Sequence, residues 1–212
     1  MKRATTDADR DARREVIIRA ALDEFFESGF HAARMDDIAR RAGLSKGAVY
    51  LYFDTKEALF NAIINTIAVP TVDRIEAISQ RAPTAAHAIH DLCAMAPQMI
   101  RHSPLPQVIK ILIGDGSRFP AVVARYRRDV VERALAALTD VLARGHRRGE
   151  LHAPEAALMA RLVVAPVLLS AIWQILFAPS EDAQPVDLDA LFALHRNNVL
   201  SALGLSLSGD HS

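Results

Sequence analysis

Hydrophobic positions recur at three- and four-residue spacing along most of this chain and nowhere alternate as in a strand, so the pattern predicts an all-α protein. Ile17, Ala21 and Phe25 fall four apart, with Ile18 and Leu22 widening the stripe, which predicts a first helix over about 9–28, stopped by Gly29. Two short helices follow around Gly43, with Ile38, Ala39, Val49 and Phe53 on their inward faces. Phe30 is expected to plug the core they share with the first helix. A fourth helix over about 55–79 lines up Leu59, Ile63 and Ile67. Asp54 and Glu57 read as its capping box, and Pro70 as a kink or break. From Pro83 onward Ala, Leu, Val and Ile dominate. Helices are expected at about 84–101, 104–113, 118–148, 154–178 and 187–204. The breaks fall at Pro83, Ser103-Pro104, Gly114-Asp115-Gly116, Gly149 and Pro179.

The stretch 35–53, MDDIARRAGLSKGAVYLYF, reads as a helix-turn-helix. Gly43 supplies the left-handed residue that reverses the chain after Ala42. Ser45 is placed to cap the second helix by accepting an N–H near Ala48. Lys46, Gly47, Tyr50 and Tyr52 are left on the exposed side. In this motif the second helix enters the DNA major groove with its N-terminal residues on base edges. Lys46 reaches a guanine edge or a phosphate, Gly47 lets backbone approach a base pair, and the tyrosines offer hydroxyls to phosphate and ring faces to thymine methyls.

The segment 14–64 resembles the DNA-binding domain of the tetracycline-repressor (TetR/AcrR) family. The matching residues are Ala21, Phe25, Gly29, Phe30, Ile38, Ala39, the run Ala42-Gly43-Leu44-Ser45-Lys46-Gly47, Tyr50, Tyr52-Phe53, Lys56-Glu57 and Leu59. The resemblance implies that Lys56 contacts phosphate, which completes an expected DNA-binding set of Arg34, Met35, Ser45, Lys46, Gly47, Tyr50, Tyr52 and Lys56. Where the family carries a Thr pair before the second helix, this chain has Ala33-Arg34. The hydroxyl cap is lost, and Arg34 offers a charge in place of the phosphate-contacting hydroxyl. The stretch Gly116-Ser117-Arg118-Phe119-Pro120, with Tyr126 and Arg127, also resembles a pattern in the AcrR-like branch, where it opens the long helix lining the ligand chamber.

Charge does not strengthen the DNA reading. The chain holds 25 basic and 25 acidic side chains, and residues 1–60 hold eleven of each. The argument rests on placement: from Arg34 to Lys56 there are five positive and three negative residues. Lys2, Arg3 and Arg10 offer a basic arm on a polar N-terminal tail. A single cysteine, Cys93, excludes an internal disulfide and fits a reducing compartment, so a cytoplasmic location is expected. It reads as inert packing. The polar N-terminus carries no secretory signal.

Residues 162–178, LVVAPVLLSAIWQILFA, are uncharged. They fall short of the ~20 apolar residues of a membrane span and carry Pro166, Ser170 and Gln174. A helix apolar all round needs covering on several sides. Packing against its own domain and a second subunit does so, giving an expected homodimer through the last two helices, about 154–178 and 187–204. Met95 and Met99 share one helix face; Trp173 and Phe177 share another. With His102, Tyr126 and Gln174 they form the candidate ligand set, apolar walls with a few polar anchors for a small, largely apolar effector.

His87 and His90 lack a completing ligand set beyond Asp91, so no metal site is expected. There is no Gly-rich phosphate loop or nucleophile elbow, so neither a catalytic site nor a cofactor is expected. The resulting expectation is an all-α chain. Residues 11–71 form a three-helix helix-turn-helix domain, and 72–212 form a helical bundle for effector binding and dimerisation. Its expected role is a ligand-responsive repressor on a palindromic operator. An activator or effector-independent regulator of the same fold remains open, as does a helical lipid-binding or membrane-associated protein.

Overall fold

The computed structural model describes residues 7–153, 155–180 and 184–204. Among these there are helices and no strand. The order is α1 (Asp7–Ser28), α2 (Met35–Arg41), α3 (Lys46–Tyr50), α4 (Lys56–Ile63), α5 (Val69–Arg81), α6 (Ala85–His102), α7 (Leu105–Asp115), α8 (Pro120–Tyr126), α9 (Arg133–Arg147), α10 (Ala156–Leu176) and α11 (Leu188–Ala202). A π-helical turn, Ile64–Ala68, runs between α4 and α5. Another, Arg127–Glu132, runs between α8 and α9, and a 3₁₀ turn, Gly116–Arg118, follows α7. The proposed arm residues Lys2 and Arg3 lie outside the described residues.

Two expectations about helix ends are corrected. The fourth helix is capped by Thr55, whose hydroxyl accepts from Ala58 N–H at 3.0 Å, and not by Asp54. Both residue types suit the position, and the spacing to Glu57 favoured the wrong one. The expected helix over 118–148 is segmented: Phe119 leaves helical geometry, Pro120 has no N–H to continue the ladder, and α8 begins there.

The chain divides into two compact units. One takes in Met1–Ala68 and Gln107–Tyr126, the other Val69–Pro106 and Arg127–Ser212. The sequence reading placed 107–126 entirely with the C-terminal part, but this segment packs in the N-terminal unit. There Ile17, Phe25, Ile38, Val49, Leu59, Phe60 and Ile63 are almost wholly buried. Phe30 lies 5.0 Å from the Phe25 ring, 5.9 Å from Phe60 and 4.3 Å from Phe119. Phe119 is thus the fourth ring of an aromatic core. Aromatic pairs of this kind contribute about 0.5–1.5 kcal/mol each beyond the burial of their area.

In the second unit α6, α9, α10 and α11 enclose a core that includes Ile89, Leu92, Cys93, Leu138, Leu142, Val163, Val199 and Leu203. Arg133 of α9 ties to Asp73 (2.7 Å) and Glu76 (2.7 Å) of α5. Small side chains let α10 approach its neighbours: Ala160, Val163, Ser170 and Ala171 form its buried face. The opposite face exposes Leu158, Leu162, Leu169, Trp173 and Leu176 at helical spacing, and α11 exposes Leu194. By length and composition α10 is apolar enough to cross a membrane, yet one side of it is built into the bundle.

Candidate nucleic-acid interface

The interface begins where α1 ends. Gly29 adopts φ +80, a left-handed conformation open to glycine, and turns the chain. The turn that follows is held from two sides. The Lys56 ammonium donates to the carbonyls of Phe30 (2.7 Å), His31 (2.9 Å) and Ala33 (2.9 Å). The Asp115 carboxylate accepts from Phe30 N–H at 2.8 Å. An ammonium has three donors, and here all three have backbone partners. Lys56 therefore fastens the turn in this conformation; its head group is not presented outward to a phosphate.

Arg34 follows in extended geometry, and its carbonyl accepts from Asp37 and Ile38 N–H, both at 3.1 Å. It supplies no side-chain cap, as the Ala33-Arg34 departure implied. Asp36 and Asp37 in the first turn favour the helix dipole instead. Met35 is 8% exposed. Three residues before Ile38 on α2, it shares that inward face, so its side chain packs in the core and is removed from the outward-facing candidates.

Gly43 takes φ +67, and Leu44 N–H bonds back to Ala39 C=O at 2.9 Å. Ser45 then accepts from Ala48 N–H at 3.2 Å and caps α3 as its spacing predicted. Val49 is fully buried and anchors the short helix, while Phe53 packs beneath with Arg14 over its ring at 5.4 Å. Lys46, Gly47 and Tyr50 are exposed, and Tyr52 is half-buried. A Cβ built on Gly47 meets nothing within 4 Å, so nothing inside this unit demands a glycine there. The residue the sequence reading missed is Leu51. At 79% exposure it is the most exposed large apolar side chain of the unit, set between the two tyrosines. Its place directly after the recognition helix was the available signal.

The basic residues of the motif are mostly paired internally. Lys46 meets Asp36 at 2.8 Å, and that carboxylate holds its ammonium above the ordinary lysine range. Arg40 pairs with Asp37 at 2.7 Å. Arg41 bridges to Glu27 (3.0 Å) and Glu24 (3.3 Å) of α1, fastening α2 to it. Arg34 is exposed and makes no ion pair among the described residues.

The candidate ligand residues do not converge. Trp173 and Gln174 line an open groove of about 230 Å³ with Leu169, Ser170, Leu188 and Leu191. Phe177 is outside that lining and stacks beside Trp173 at 5.1 Å. Met95 packs against the core of the second unit. Met99 is half-buried and His102 is exposed at the end of α6. Tyr126 belongs to the first unit, where desolvation pushes its hydroxyl up to about 12. Periodicity identified which residues share a helix face, but not which helices would meet.

A short second helix on a buried hydrophobic anchor, presenting Lys46, Gly47, Tyr50 and Leu51 outward, defines a helix-turn-helix DNA-binding regulator. The family model described as bacterial regulatory proteins, tetR family, matches residues 17–63, and that described as tetracyclin repressor-like, C-terminal domain, matches residues 82–190. The chain belongs to the tetracycline-repressor family of transcriptional regulators, which are DNA-binding proteins and not enzymes. It is 45% identical over 56 residues to the HTH-type transcriptional regulator RutR of Escherichia coli (strain K12), a match covering 26% of each chain. Over 154 residues it is 27% identical to the HTH-type transcriptional repressor BepR of Brucella suis biovar 1 (strain 1330), covering 69% of this chain and 72% of that one. The fold is shared with NalD, the secondary repressor of the MexAB-OprM multidrug efflux pump in Pseudomonas aeruginosa. That likeness has a TM-score of 0.71 at 24% identity and covers 92% of this chain and 98% of the other.

Proposed function

We propose that this protein is a cytoplasmic repressor that binds a palindromic operator as a homodimer and is released by a small, largely apolar effector. The observation that carries the reading is the outward face of 34–52. Arg34 is free to meet phosphate, Lys46 and Tyr50 flank a glycine with open space before it, and Leu51 offers an apolar tip to a thymine methyl.

The dimer reading rests on the exposed stripe of α10. A second copy of the chain is its proposed occupant, because two recognition helices must reach half-sites about 34–36 Å apart. A bilayer would need an apolar surface around the whole helix, whereas α10 buries its other face in its own bundle. The repressor role of BepR supports repression. The groove at Trp173 and Gln174 supports a small effector, being below the ~300–1,000 Å³ of a drug-sized pocket. Release follows if the effector prefers the dimer geometry that misplaces the recognition helices, a coupling of about 1–3 kcal/mol.

The test is fluorescence anisotropy with duplexes from the region upstream of the protein's own coding sequence, alongside sedimentation. Two chains per duplex are expected. A protein that stays monomeric and binds none of these duplexes at low ionic strength overturns the reading. Trp173 is the single tryptophan, so quenching of its emission reports effectors directly.

A further inference from the structure

Three contacts from the segment Gln107–Tyr126 meet the end of α1 and the turn after it. Lys110 Nζ donates to Phe26 C=O at 3.1 Å and lies 4.0 Å from the centre of the Phe26 ring. Asp115 Oδ2 accepts from Phe30 N–H at 2.8 Å. Phe119 stacks on Phe30 at 4.3 Å and lies 5.8 Å from Phe60. The contacts differ in kind, yet each of the three residues meets 26–30, the stretch shortly before Arg34 and α2, and Phe119 reaches Phe60 of α4 as well. A Cβ at Gly29 would stand 3.0 Å from Asp115 Oδ2, so the carboxylate seats against bare backbone. At both ends the segment continues into the second unit, at Pro106 and at Arg127.

The geometry points to Lys110, Asp115 and Phe119 as positioning residues for DNA binding, acting through the 26–33 backbone although none of them belongs to the helix-turn-helix. Lys56 holds the carbonyls of the same turn, and Asp115 holds its leading N–H. With Asp115 removed, one side of that grip opens, and the entry to α2 has more than one setting. DNA affinity is then a function of where the 107–126 segment places one carboxylate within the N-terminal unit. The inference rests on the DNA-binding reading above.

The experiment uses the full chain with Asp115→Ala, Asp115→Asn and Lys110→Met, and own-locus duplex as the probe. Asparagine keeps an acceptor oxygen and loses only the charge. Asp115→Ala is expected to weaken DNA binding roughly tenfold, because a Phe30 N–H without its carboxylate partner no longer fixes the entry to α2. It should speed hydrogen exchange in the peptide covering 29–34 and leave exchange in α1 and the dimer state unchanged. Asp115→Asn should restore most of both, and Lys110→Met should show a smaller loss. Wild-type affinity in Asp115→Ala overturns the proposal. So does faster exchange across the whole of α1, which would mark a general loss of fold. If the wild-type protein binds no duplex, the DNA-binding reading fails first. Unchanged exchange at 29–34 would then also remove the grip, while faster exchange would leave it standing as a purely local anchor and end its link to DNA.

Discussion

The turn before α2 and the outer face of α10 are opposite cases of satisfaction. At the turn, four backbone groups within four residues have charged partners: three carbonyls on Lys56 and one N–H on Asp115. On α10, six large apolar side chains are exposed, among them Leu169 at 65% exposure. Polar groups are directional and lose heavily when left unmade, so a chain must close them itself wherever water is excluded. Apolar surface is tolerated in the open until another surface covers it, and a contiguous patch of it marks an interaction site. The difference teaches where this protein is finished within one chain and where it is not.

The largest effect should come from breaking the unfinished side. Leu169→Asp on α10 is expected to yield monomers in sedimentation while circular dichroism keeps its helical signal. Operator affinity should then fall by on the order of 10²–10⁴-fold, because the second half-site contact is no longer tethered to the first. A variant that remains dimeric with full affinity would mean the stripe is not the contact between copies.

Breaking the finished side should cost stability as well as affinity. Lys56→Met strands three carbonyls and should lower the unfolding free energy of the N-terminal unit by about 1–3 kcal/mol, read by urea titration. The salt dependence of DNA binding should keep its slope. A slope reduced by about one ion with unchanged stability would instead make Lys56 a phosphate contact.

Gly47→Ala sharpens the contrast within the motif itself. The added methyl meets open space, and alanine favours helix over glycine by roughly 1 kcal/mol, so the fold should hold or tighten. DNA binding should weaken about tenfold if backbone approaches a base pair there. Unchanged affinity would show that the glycine keeps its distance from DNA. Asp36→Asn should act the other way. Freed from its carboxylate, Lys46 should tighten DNA binding a few-fold at low salt, with a steeper salt dependence.

The smallest effect concerns Cys93. Burial pushes its thiol up to about 11 from an ordinary 9.0. The neutral form is favoured in the fold, so its stabilising contribution is whole below pH 9 and is lost as pH rises towards 11. A native-state thiol assay at pH 8 should register almost no reaction; rapid labelling would show a thiolate the fold does not protect.

Local chemistry in the sequence was sufficient for the helix-turn-helix. Gly43 and Ser45 act through neighbours within about six residues, and Val49 and Phe53 are buried as their spacing predicts. What lay beyond reach was pairing over distance. No periodicity announces that Asp115 will meet the amide of Phe30, 85 residues earlier, or that Phe119 completes a ring cluster begun at Phe25. The same blindness gave Lys56 to phosphate and left Lys46 without Asp36. It also gathered Tyr126 with Trp173 as one ligand wall, although they fold into different units.

Since Phe119 supplies the last ring of the N-terminal core, that core stays incomplete on the ribosome long after α1 to α4 have emerged. Phe119 follows Ile63, the last residue of α4, by 56 positions (119 − 63), and closing so wide a loop is slow. The DNA-reading head of this regulator is therefore translated before it can be fully assembled.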